Sequence, residues 1–166
     1  MGVLKSPEPQ IVEVAAKKLI GCSLRMSMAQ NRLAELWKSF RPYATEIANR
    51  VNADFVSMAL YDSPDYFSAF SMERKFTRWA AVEVSEFAAM PTELEKHTLQ
   101  GGLYAMFEYR GRPMDFAQAA NHIYQVWLPA SAFALDNREH FEILGPGYRP
   151  DDPDAEETIW IPVCRR

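Results

Sequence analysis

The sequence predicts an α+β fold built from two βαββ modules in tandem, related by pseudo-twofold symmetry, with antiparallel sheets that form a cleft between the halves. Three observations carry this expectation. The order strand, helix, strand, strand occurs twice along the 166 residues. Each helix carries an amphipathic stripe that includes one Trp. The segment joining the copies, 86–102, is short and irregular, with Pro91 and the pair Gly101-Gly102 in place of a long linker. A chain of this length suits one core, so residues 1–166 are expected to fold as one domain with halves at about 10–85 and 102–164.

Taken in order, Gln10 to Leu24 reads as a strand rich in Ile11, Val12, Val14, Leu19, Ile20 and Leu24, with Gly21 marking a bulge or bend. The first helix is expected within 31–51. There Leu33, Leu36, Trp37 and Phe40 recur at helical spacing, Ile47 and Val51 resume the stripe, and Pro42 kinks or splits it. Phe55 to Tyr61 and Thr77 to Val84 follow as strands around a loop that carries Pro64. In the second half Leu103 to Tyr109 is the strand, and Phe116, Ala119, Ala120, Ile123 and Trp127 make the helical stripe. Phe141 to Leu144 and Thr158 to Val163 close the module. Trp37 and Trp127 read as core anchors.

Composition excludes several classes of function. Hydrophobic residues at 48% and charged residues at 24% describe a globular chain. A net charge of -4 offers no basic footprint, so neither direct nucleic-acid binding nor attraction to an anionic membrane surface is expected. No apolar run reaches the ~20 residues that span a bilayer, and Met1 to Gln10 lacks the apolar region of a signal peptide, which implies a cytoplasmic protein. Cys22 and Cys164, outside any metal spacing, read as free thiols. His97, His122 and His140 are too scattered for a metal site and read as surface or capping residues, while the acidic run from Asp151 to Glu157, interrupted by Pro153, reads as a solvated loop. There is no GxGxxG, P-loop or GxSxG. No metal and no cofactor is expected.

Aromatic residues make up 13%, more than an ordinary core of this size needs, and such a surplus lines a ligand cavity or fills an aromatic-rich core. Strand alternation sorts the candidates. Val56, Met58 and Leu60 are assigned beneath the helix, with Phe55, Ser57, Ala59 and Tyr61 opposite. Ala80, Val82 and Val84 are sorted from Trp79, Ala81 and Glu83, and Ile159, Ile161 and Val163 from Thr158, Trp160 and Pro162. Phe141 and Ile143 are placed under the helix, which leaves Glu142 and Leu144 on the side that collects Trp79 and Trp160. Ser57, Ala59 and Ala81 are small enough to leave room there. A carboxylate among rings suits an organic cation, which offsets its desolvation and stacks on the indoles. The alternative is an exposed Glu142 paired with solvent or a basic neighbour, and Trp79 and Trp160 in an ordinary core.

Several segments carry a resemblance to a known family. They are Leu36-Trp37-Lys38-Ser39-Phe40, Phe76 to Val84, Gly102 to Phe107, Tyr124 to Ser131, the run His140-Phe141-Glu142-Ile143-Leu144-Gly145, and Glu156 to Val163. Their order and spacing, from about Ile11 to the end, are similar to the GyrI-like, AraC-type effector-binding family, here as a stand-alone member. The resemblance implies the effector-binding fold, with a cleft whose aromatic side chains and acidic residue receive lipophilic, often cationic, compounds. Glu142 in the FE motif matches the acidic residue, Glu157 is second to it, and Tyr104 matches a pocket tyrosine. The ligand-binding set is therefore Glu142, Trp79, Tyr104, Trp160, Phe55, Tyr61 and Glu157. The basic helix-turn-helix of transcription-regulating, multidrug-binding bacterial members has no room here, so the role implied is a sensor, carrier or sequestering protein for a small organic ligand. Hydrolysis of reactive cyclopropane-type compounds by Glu142 and Tyr104 is the enzymatic alternative, and a gyrase-inhibitor-like protein interaction is another. Binding is favoured over catalysis. No oligomeric state is implied.

Overall fold

The apolar run at the start of the chain does not form one strand. In the computed structural model, which describes residues 2–166, β1 (Val3–Leu4) and β2 (Gln10–Val14) are followed after Ala15-Ala16 by β3 (Lys17–Ser27). Then come α1 (Leu33–Ala44), β4 (Phe55–Tyr61), β5 (Lys75–Val84), β6 (Glu95–Leu99) and β7 (Gly102–Arg110). A composite helix follows: a 3₁₀ turn (Pro113–Asp115), α2 (Ala117–Asn121), a π-helical turn (His122–Trp127) and α3 (Leu128–Ala130). β8 (Phe133–Leu135), β9 (His140–Leu144) and β10 (Glu156–Arg165) complete the chain.

The strands make one antiparallel sheet in the order β1-β7-β10-β9-β4-β5-β3-β6, with β2 also on β7 and β8 also on β10. Its symmetry is visible in that order. β3-α1-β4-β5 is repeated as β7, composite helix, β9, β10, and the two copies meet edge to edge where β4 pairs with β9. The α+β class and the twofold βαββ plan are thus observed. Among the described residues no helix is long and apolar enough to cross a membrane.

Local chemistry explains where the elements differ from expectation. Gly21 does not make a bulge. It stays in register with Ala81, and a Cβ there would lie 2.1 Å from the Ala80 carbonyl oxygen, so glycine lets β3 and β5 approach closely. Pro42 does not split α1, because it stands in the last turn, where one lost backbone bond costs the helix little of its length. The stripe ends at buried Ile47, and Val51 is exposed. β6 arises inside the segment expected to be irregular; its sequence Glu-Lys-His-Thr-Leu is that of a charged edge strand, paired only with β3.

Three clusters form the core. Leu36, Phe40 and Ala44 of α1 pack on Ile20, Phe76, Ala80, Val82 and Val84. Ala119, Ile123 and Trp127 pack on Ala105, Phe107, Tyr109, Ile159, Ile161 and Val163. The third cluster lies on the helix-free face and joins residues of both ends of the sheet: Val14, Leu19 and Leu99 with Val56, Met58, Trp79, Tyr104 and Phe141. The sheet therefore curls round a filled interior. Both chain crossings between its ends are tight, and a Cβ on Gly101 would stand 2.6 Å from the Val14 carbonyl oxygen.

Candidate functional site

Alternation along β4 and β9 runs opposite to the assignment made from sequence. Val56, Met58 and Leu60, with Phe141 and Ile143, face the helix-free interior beside Trp79 and Trp160. Phe55 and Tyr61 pack in the α1 cluster, and Ser57, Ala59, His140, Glu142 and Leu144 share their face. The physical reason is that both faces of these central strands are buried, so an aliphatic set suits either one and the pattern has no solvent side to orient it. Glu142 is consequently separated from Trp79, Tyr104 and Trp160 by the thickness of the sheet.

Those three rings are core. Trp160 stacks on Phe141 with centroids 5.4 Å apart, Trp79 lies 5.3 Å from His97, and Tyr104 is fully buried. The Tyr104 hydroxyl donates to the Glu139 carbonyl at 2.8 Å while its ring sits under the Arg138 guanidinium, 4.7 Å away. Glu139 itself is buried beside His97, its Oε2 2.7 Å from Nε2 and bonded by the Gln100 amide. Burial pushes that carboxyl up, but these hydrogen bonds outweigh it and hold Glu139 below the usual range.

The other face is different. On the face that carries the helices, β4 and β9 set Glu142 opposite Ser57 and His140 opposite Ala59. β5 contributes Arg78, whose Nη2 donates to Ser57 Oγ at 2.5 Å and lies 3.8 Å from Glu142 Oε1. The Arg78 Nε has no partner. β10 contributes Glu157, of which 9% is exposed. Burial, reinforced by the charge of Glu142, pushes Glu157 up to about 9. Of the residues anticipated for the site, Glu142, Glu157, Phe55 and Tyr61 lie on this face.

Sequence reasoning missed the remaining residues of this face. His140 was read as a surface or capping residue and is instead buried, with Nδ1 3.3 Å from the Tyr124 hydroxyl. Burial and the charges of Arg78 and Arg138 hold it down to about 3, so it is a neutral imidazole. His97 pairs with Glu139, and half-buried His122 bonds the Pro7 carbonyl. Burial keeps Tyr61 and Tyr124 as neutral phenols. Phe67, from the loop 62–74, fits among them: it stacks on Tyr124 at 4.6 Å and 16°, and lies 4.9 Å from Tyr61 and 5.6 Å from His140. The hollow left beside it measures about 20 Å³, room for a water. Arg78 had a signal in the sequence, since it alternates with Phe76 and Ala80 on the helix side of β5; Tyr148 and Phe67 stand in loops and had none.

A family model described as a GyrI-like small molecule binding domain matches residues 7–163. No curated protein matches the sequence. Among solved structures, SAV2435, determined bound to tetraphenylphosphonium, aligns with a TM-score of 0.69 at 20% identity over 95% of this chain and 94% of that one. The integron cassette protein VCH_CASS2 from the mobile metagenome of Vibrio cholerae aligns at 0.67 and 15% identity over 98% and 99%. A protein described as a hydrolase encoded by lin2189 from Listeria innocua aligns at 0.59 and 10% identity over 96% and 93%. At such identities the likeness is one of fold. The family match is more than that, for it runs across both βαββ copies, from Phe55 through Glu157 included: the chain belongs to the GyrI-like small-molecule-binding family.

Proposed function

We propose that the protein binds a lipophilic organic compound, organic cations included, in a cleft over β4 and β9, and acts as a sensor, carrier or sequestering module. One observation carries this reading: two carboxyls, Glu142 and Glu157, are set among aromatic rings on the sheet face between the helices. A cation entering there offsets the cost of a desolvated carboxylate and stacks on Tyr61 and Tyr124. Phe67 occupies the place the ligand's ring would take, and loop 62–74 swings out to admit it. Tetraphenylphosphonium bound to SAV2435, a relative in fold, supports the choice of probe. Trp79, Tyr104 and Trp160 serve the core on this reading, and residues 1–166 work as one unit.

Calorimetric titration with tetraphenylphosphonium tests the proposal. Glu142→Gln is expected to weaken binding tenfold or more, about 1.4 kcal/mol, while Trp79→Phe leaves it within about twofold. Unchanged affinity in Glu142→Gln removes the carboxylate from the receptor.

A second reading is favoured by the neutral acid of Glu157 lying against Glu142 and Tyr148, which places a proton donor beside a carboxylate. Hydrolysis of a reactive cyclopropane-type compound would use these groups. The pair Glu142 and Tyr104 cannot act together from opposite faces. Mass spectrometry after incubation with such a compound separates the readings: turnover lost in both Glu142→Gln and Glu157→Gln marks an enzyme, and intact ligand held one to one marks a binder.

A further inference from the structure

Charge does not balance in the cleft. Across the β9–β10 ladder Glu142 opposes Ile159 and Glu157 opposes Leu144, so the two carboxyls leave the same face as diagonal neighbours, within reach of one another. A single guanidinium approaches them: Arg78, 3.8 Å from Glu142, with one nitrogen bonded to Ser57. The remaining groups that face Glu157 bring no positive charge. Tyr109 stands opposite it on β7, Tyr148 reaches it from the loop after β9, and His140 on β9 is a neutral imidazole. Buried Glu157 and half-buried Glu142 cannot both ionise cheaply beside one cation, because a negative charge on Glu157 has neither a partner nor much water.

Resting on the reading that this cleft receives organic cations, we infer that binding is a proton-for-cation exchange in which the ligand's positive charge replaces the Glu157 proton. The carboxylic acid of Glu157 and the free cation become a carboxylate–cation pair, and the proton passes to solvent. No other reactant is consumed, and the net charge of the cleft is the same before and after. Glu142, already paired with Arg78, keeps its partner, and Glu157 is the residue that makes cation affinity depend on pH.

The test is calorimetry of the wild-type protein with tetraphenylphosphonium in buffers of differing ionisation heat. Close to one proton per cation is expected to be released at about pH 7.5, with Kd falling up to about tenfold per pH unit until the rise levels off near pH 9. Triphenylphosphine oxide, similar in rings but uncharged, is expected to bind without release. Glu157→Gln, which keeps the shape of the neutral acid, is expected to bind the cation with no proton released and a flat pH profile. Cation binding by the wild type without release and at constant affinity overturns the exchange and leaves the binding site standing; so does release that persists in Glu157→Gln. Absence of binding at every pH removes the proposed function, and the exchange with it.

Discussion

Phe67 is the residue on which access to the cleft turns. It comes from a loop, touches Tyr61 of β4 and His140 of β9, and stacks on Tyr124 of the opposite half, so one ring closes the space between the two copies. Stacked aromatic contacts contribute roughly 0.5–1.5 kcal/mol beyond the area they bury. A ligand that takes this place must first break them. Phe67→Ala is therefore expected to tighten tetraphenylphosphonium binding by about two- to tenfold, the plug's own stacking converted to affinity. Equilibrium dialysis of the variant against the wild type measures this. Weaker binding by the variant would make Phe67 part of the receptor and sink its role as a plug.

At the level of elements the sequence was legible where periodicity had a polar side to set it. The β5 and β10 assignments hold, with Trp79 and Trp160 away from the helices as sorted, because Thr77 and Glu83 on β5 and Thr158 on β10 mark the side opposite the helices. β4 and β9 reversed because both of their faces are covered, one by helices and the other by the curled sheet. A better guide lay in pairing: Ser57 against Glu142 and Ala59 against His140 put small and polar residues on one face of the central ladder. The second helix was legible as a stripe but not as a shape. Ile123 and Trp127 are buried as the spacing requires, yet residues 122–127 widen into a π-helical turn that no stripe announces. That turn carries Tyr124 to the cleft, and wide turns of this kind occur preferentially at functional sites.

For the whole molecule, the buried titratable groups of the cleft set how stability depends on pH. Glu157 has its pKa raised in the fold, from 4.5 to about 9, so the native state holds a proton the unfolded chain has lost, and stability falls as pH rises across that interval. His140 is the opposite case. Its pKa is lowered from 6.5 to about 3, so the unfolded chain takes up a proton the native state refuses, and stability falls as pH drops through that interval. Where the intervals overlap, between about pH 4.5 and 6.5, the two effects cancel and stability is flat. Of these two, Glu157 acts above it, with a slope of up to about 1.4 kcal/mol per pH unit, and His140 below it, joined by Glu139, whose lowered pKa adds a loss of the same sign. Urea unfolding midpoints measured from about pH 4 to 9 are expected to trace this plateau with two falling limbs, and Glu157→Gln is expected to flatten the alkaline limb and to extend the acid limb up to about pH 6.5, because His140 is then no longer offset. A wild-type maximum near pH 9 would mean that Glu157 is ionised in the native cleft, because a buried acid that keeps its proton cannot gain stability as the medium turns alkaline.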